Sequence, residues 1–269
     1  MSHGDVDRSI DVSASQDGDA AASTVRVATA GDVHCHPGNA DAVAEAVAGL
    51  EGQADLLLLA GDLTTHGEPE QAQILADACR DAPFPIFAVL GNHDWHANRA
   101  DELRAVLEEA GIVVLDRSHH ILEVCDAEVG IAGTKGFVGG FAGSHIPDFG
   151  EPSLRGIYAE GMDEVHALDE NLRAIALCPF RIALLHYAPT SETLVGERQD
   201  IWAFLGTDRL AQPILEHAPD LVLHGHAHAG TFEGRIGEVP VYNVSVPVLG
   251  EDWWVFELTG EARAPSEVR

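Results

Sequence analysis

Short apolar runs that stop abruptly at Gly, Asp or His, alternating with helical stretches, constrain this chain most. VRVATAG, DLLLLAG, PIFAVLG, RIALLH and DLVLHG have strand length. Their nearly unbroken hydrophobicity predicts strands buried on both faces. Helical periodicity appears between them, over Ala40 to Leu50, Glu68 to Arg80, Asn98 to Ala110, Asp163 to Leu177 and Thr207 to His217. Alternating strand and helix predicts an α/β fold. Two further strand groups, Ile112 to Thr134 and Gly230 to Leu258, lack intervening helices and read as hairpins and meanders. A mixed sheet accommodates both kinds of segment, and so do two packed sheets with helices outside.

At 269 residues the chain is long enough for one large domain or two small ones. Residues 1–24 are small, polar and acidic and are expected to be a disordered tail, followed by one domain over 25–260 and a C-terminal tail, 261–269. Residues 136–156, GFVGGFAGSHIPDFGEPSLRG, are glycine-rich and aromatic without a clear period. A stretch this long without periodicity reads as a lid or loop insertion, and its three phenylalanines favour packing onto the core.

Five of the predicted strands end in residue types that bind metals: GDVH (Asp32, His34), GD (Asp62), GNHD (Asn92, His93, Asp94), LLH (His186) and HGHAH (His226, His228). Sites in α/β sheets form outside the carboxyl ends of strands, so these side chains are expected to converge. Each alone is a weak signal. Together, the order D-x-H, G-D, G-N-H-D, H and G-H-x-H resembles the calcineurin-like metallophosphoesterases over residues 25 to about 245. That resemblance implies a four-layer α/β/β/α architecture, a sandwich of two mixed β-sheets flanked by helices, with a binuclear site at one edge. It also implies that Asp62 bridges two divalent ions, that Asp32, His34 and His228 complete one, and that Asn92, His186 and His226 complete the other. Two cations a few ångströms apart need an anionic bridge, and together they activate an oxygen nucleophile for in-line attack on phosphorus. Alternation within a strand or turn would explain the x in D-x-H and H-x-H, because residues two apart project to one side. The nitrogen and oxygen donor set suits manganese, iron, zinc or cobalt.

His93 follows Asn92 and is expected to protonate the leaving oxygen, with Asp94 orienting it and raising its pKa. Cys35, between His34 and His36, reads as a packing residue. His36, His96, Lys135 and Arg155 are candidate substrate contacts; Lys135 is the only lysine in the sequence.

Lys and Arg total 15 against 44 Asp and Glu, a net charge of −29. Over a folded surface of about 11,000 Å² this field disfavours broad binding to nucleic acid or acidic lipid, but admits a small phosphate ester at a metal site. No secretory signal or membrane-length apolar run is present, and the chain reads as cytoplasmic. GDLTTHGEPEQ lacks the Asp-Arg-Gly of protein phosphatases and dinucleoside tetraphosphatases. It looks closer to the bacterial phosphodiesterase branch, although Tyr187 stands where that branch usually has a second histidine. The expected function is therefore hydrolysis of a small phosphodiester by a metal-bridging hydroxide. A phosphomonoesterase is the alternative, and a non-catalytic binding scaffold a further one.

Overall fold

The apolar runs form parallel strands at the centres of two six-stranded sheets. A computed structural model describes the backbone of residues 9–11 and 22–261 and the side chains of residues 23–260. The first half comprises β1 (Ser9–Asp11), β2 (Ala22–Ala30), α1 (Ala40–Ala48), β3 (Leu56–Ala60), α2 (Pro69–Cys79), β4 (Ile86–Val89), α3 (Ala100–Glu109) and β5 (Ile112–Val114). A hairpin follows, β6 (Ser118–Val124) and β7 (Ala127–Gly133), then a short ribbon, β8 (Gly140–Phe141) and β9 (Ser144–His145). Next come α4 (Pro152–Ala174), β10 (Phe180–Leu184), α5 (Trp202–Leu205), α6 (Ala211–His217) and β11 (Leu221–His224). The last elements are β12 (Glu233–Ile236), β13 (Val239–Asn243), α7 (Val246–Leu249) and β14 (Trp254–Glu261).

One sheet has the order β1-β14-β2-β3-β4-β5, and the other β12-β13-β11-β10-β7-β6. In the first, β2, β3, β4 and β5 run parallel; in the second, β13, β11, β10 and β7 do. The sheets pack face to face over Val27, Leu58, Val89, Ile131, Ile182, Leu223 and Phe256. Helices cover both outer faces. Val43 and Val47 of α1, Leu75 of α2 and Leu103 and Leu107 of α3 sit against Leu57 and Leu59, while Leu168 and Leu172 of α4 and Ile214 of α6 sit against Ala183 and Val222. The four-residue spacings within α1, α3 and α4 turn one helical stripe inward. The expected four layers are observed.

Several boundaries differ from the sequence reading. Ser9–Asp11, placed in the tail, pair with β14 as a parallel edge strand, and β2 begins at Ala22. The rest of the expected tails, residues 1–8, 12–21 and 262–269, lies outside the described residues. The last expected helix opens as a 3₁₀ turn, Asp208–Leu210, before α6. The stretch 136–156 is shorter as a loop than expected, because α4 already begins at Pro152. Its first turns are exposed and burial starts only at Gly161, so the apolar period becomes visible late. Within the loop Phe141 is buried against Leu205, whereas Phe149 is exposed instead of packed. Among the described residues, no helix is long and apolar enough to cross a membrane.

Candidate metal centre

All seven expected ligands lie just beyond the carboxyl ends of β2, β3, β4, β10 and β11, where the two sheets meet. Parallel pairing forces this convergence, since neighbouring parallel strands end on the same edge. Their donor atoms form overlapping groups: Asp32 with His34 and His228, His34 with Asp62 and His93, and Asp62 with His186 and His226. Asp62 is central. Its Oδ1 lies 3.3 Å from His186 Nε2, while its Oδ2 lies 4.0 Å from the Nε2 atoms of both His34 and His93. Asn92 Oδ1 is 2.9 Å from His186 Nε2, and His228 Nε2 is 2.8 Å from Asp32 Oδ1.

Of the two settings expected for the D-x-H and H-x-H spacings, strand or turn, the structure has turns beyond the strand ends. Asp32 and His34 follow the end of β2, and His226 and His228 follow β11. Asp32, His34, Asp62 and His226 adopt left-handed backbone, with φ of 59°, 47°, 50° and 70°. Such geometry is unfavourable for residues bearing a Cβ and concentrates at functional sites, so the surrounding structure must hold it. Gly31, Gly61, Gly91 and Gly225, which precede Asp32, Asp62, Asn92 and His226, provide the room. A Cβ on Gly91 would collide with the Asp62 carboxylate and amide and come within 2.7 Å of His186 Cε1; one on Gly225 would strike Asp32 Oδ2 and come within 2.9 Å of the Ala60 carbonyl.

Backbone contacts fix the ring orientations. His186 Nδ1 lies 2.9 Å from the Ala60 carbonyl and His93 Nδ1 2.8 Å from the Thr65 carbonyl, so each donates there and leaves Nε2 facing the cluster. His226 Nε2 meets the Phe204 carbonyl at 3.2 Å, which leaves Nδ1 inward. Loss of solvent contact lowers His34 and pushes His226 down to about 3, keeping both imidazoles neutral. Burial alone would raise the Asp32 carboxyl, but the His228 hydrogen bond, nearby imidazoles and the His226 amide lower it overall. His228 is raised, chiefly by that same bond. Two buried carboxylates among imidazole nitrogen donors fit divalent cations.

Asp94 does not orient His93. It is fully buried and accepts from the amides of Leu63, Thr64 and Gly91 and from the Thr64 hydroxyl, at 2.7–3.1 Å. It therefore ties the loop carrying Asp62 to the loop carrying Asn92, and Thr65 takes the part expected of Asp94. Burial and the Asp62 charge push Asp94 up to about 6.

The candidate substrate contacts divide. His96 is exposed at the rim, its ring 5.4 Å from that of His93, with His66 6.4 Å beyond it. His36 is exposed and its Nδ1 accepts from the Gly38 amide. Arg155 is on the exposed first turn of α4, paired with Asp148 at 3.7 Å. Lys135 is mostly buried, with Phe137 and Tyr187 beside it. It lines a cavity of about 310 Å³ together with Asn92, Trp95, Phe137, Glu160 and Tyr187. Sequence reasoning missed Thr65, Tyr187 and Trp95 as neighbours of the cluster. Only the proximity of Tyr187 and Trp95 to His186 and His93 in the chain could have suggested the last two. His224 is buried against the Thr193 hydroxyl, and burial pushes the Cys35 thiol up to about 12; both are packing residues.

Comparison with known proteins agrees with this geometry. A 30% identical stretch of 81 residues is shared with the glycerophosphodiester phosphodiesterase GpdQ of Enterobacter lignolyticus (strain SCF1), covering 30% of this chain and 29% of that protein. The chain thus matches under a third of that relative's length. In three dimensions the fold resembles the phosphopantetheinyl hydrolase PptH of Mycobacterium tuberculosis, with a TM-score of 0.64 at 15% identity over 90% of this chain and 98% of that one. It also resembles TT1561 of Thermus thermophilus, with a TM-score of 0.52 at 18% identity over 89% and 100%. The model of the calcineurin-like phosphoesterase family matches residues 25–230, so the chain belongs to that family.

Proposed function

We propose that the protein hydrolyses a small phosphodiester with two divalent ions, one held by Asp32, His34 and His228, the other by Asn92, His186 and His226, with Asp62 between them. The observation that carries this is the opposed orientation of the Asp62 oxygens, Oδ1 toward His186 and Oδ2 toward His34 and His93. Bound ions would supply Lewis acidity at the phosphoryl oxygens and lower the pKa of a water. The chain's own residues then do the rest. With Nδ1 on the Thr65 carbonyl, His93 presents Nε2 as the atom that delivers a proton to the leaving oxygen. His93 is 36% exposed, so a substrate reaches it, whereas Asp62 is 1% exposed and stays fixed.

Preference for a diester is supported by the similarity to a phosphodiesterase over residues of this chain. The net charge of −29 favours a small ester over a nucleic acid. The four unpaired cysteines suit the cytoplasm expected from the sequence. The test is hydrolysis of bis(4-nitrophenyl) phosphate against 4-nitrophenyl phosphate with added manganese, alongside metal analysis. Asp62→Ala should lose both metal and activity, and His93→Gln should lower kcat with metal retained. Metal loss in His93→Gln would make His93 a ligand and refute its role as acid.

A further inference from the structure

The cavity beside the cluster shares one wall with it, the candidate ligand Asn92. Asn92 forms one wall and stands 2.9 Å from His186 Nε2; Tyr187 forms another, its ring 4.6 Å from that of His226. Lys135 and Phe137 follow the end of β7, which pairs in parallel with β10, so the fold delivers them to the same sheet edge as His186. The Lys135 carbonyl accepts from the amides of both His186 and Tyr187, at 3.0 Å each. Trp95 arrives from the opposite sheet on the turn that carries His93, and Glu160 from α4.

The walls are chemically selective. Three aromatic side chains, Trp95, Phe137 and Tyr187, surround a space of about 310 Å³, at the lower end of ligand-pocket volumes. The Lys135 ammonium stands 4.3 Å from the Phe137 ring centre and 5.3 Å from that of Tyr187. Among the described residues it donates to the Gly136 carbonyl alone, at 3.1 Å, and its ion-pair partner Glu164 is 4.0 Å away. Arg117 contacts both Glu160 and Glu164 more closely, so Lys135 is held only loosely by the carboxylate it shares. Aromatic faces and an ammonium edge together favour a flat ring over an alkyl chain.

We propose that this cavity is a binding site for one organic group of the ester, and that the group it selects is an aromatic ring. The proposal rests on the metal-centre reading above, because it places the phosphoryl group at the Asp62 cluster and the ring against Phe137, Tyr187 and Trp95.

The experiment is calorimetric titration of the manganese-loaded protein with phenylphosphonate and with methylphosphonate, which share the anion and differ in the organic group. Phenylphosphonate should bind at least tenfold more tightly. Phe137→Ala and Trp95→Ala should each narrow that ratio to threefold or less; Trp95 is 44% exposed, which makes its variant the safer one for folding. Equal affinities in the unaltered protein overturn the aromatic site while leaving the metal-centre reading standing. A phenyl preference that survives in both variants also overturns it, since the ring then binds elsewhere. If neither phosphonate binds, the metal-centre reading falls, and this proposal with it.

Discussion

Asp94→Ala distinguishes a brace from a catalytic residue. The carboxylate accepts three backbone N–H groups and one hydroxyl in a fully buried position. The Thr64 hydroxyl can rotate, but the amides of Leu63, Thr64 and Gly91 cannot. Three buried donors left without an acceptor at about 2 kcal/mol each give about 6 kcal/mol. Relief acts in the opposite direction. Asp94 is held near 6 instead of 3.8 by burial and Asp62, so its removal returns about 3 kcal/mol. The net loss is about 3 kcal/mol, or roughly 6–12 °C in Tm for a domain of this size. Scanning calorimetry measures it, with metal content determined in parallel. Because the two tethered loops carry Asp62 and Asn92, metal should be lost as well. An Asp94→Ala protein with unchanged Tm and metal content but a reduced kcat would refute the bracing argument and restore Asp94 as the partner of His93.

Gly91→Ala should fold poorly or lose metal, since its Cβ strikes the Asp62 carboxylate; an alanine variant with normal metal content would contradict the tight crossing seen there. Metal removal by EDTA should lower Tm, because ions present at a hundred times their Kd stabilise the native state by about 2.7 kcal/mol; Asp62→Ala should show no such response. Acid should destabilise the metal-free protein through His224, which burial holds neutral down to about 4. Unfolded histidine takes up a proton below about 6.5, so this contribution is complete above pH 6.5 and falls by about 1.4 kcal/mol per unit down to pH 4. Unfolding free energies from denaturant titrations at pH 7 and pH 5 should therefore differ by about 2 kcal/mol less in His224→Gln than in the unaltered protein; equal pH dependence refutes the assignment.

The convergence of the candidate ligands was legible because their motifs follow apolar runs, and parallel runs buried on both faces end on one edge. What lay beyond reach depended on contacts between loops distant in sequence. Asp94 reads as a partner for its neighbour His93, but its acceptors are matched by donors about thirty residues earlier. The D-x-H spacing reads equally as strand or turn, and the left-handed backbone at Asp32 and His34 that aims the side chains leaves no mark in the sequence pattern. β1 was invisible because three polar-flanked residues, Ser9–Asp11, carry no period until β14 offers them an edge. The side cavity required Trp95 and Lys135, forty residues apart, to be brought to opposite walls.

The pairing of β2 with β14 has a consequence for synthesis. Val27 is paired with Phe256 and Val25 with Leu258, so a strand made among the first is completed by one made more than two hundred residues later. Until then β2 presents an open hydrogen-bonding edge beside an already apolar sheet, the kind of surface that recruits other chains. Contacts this distant in sequence also slow folding. The nascent polypeptide must therefore be shielded through most of its translation, and truncation before residue 254 should yield an aggregating product even though every residue of the metal cluster would already be present.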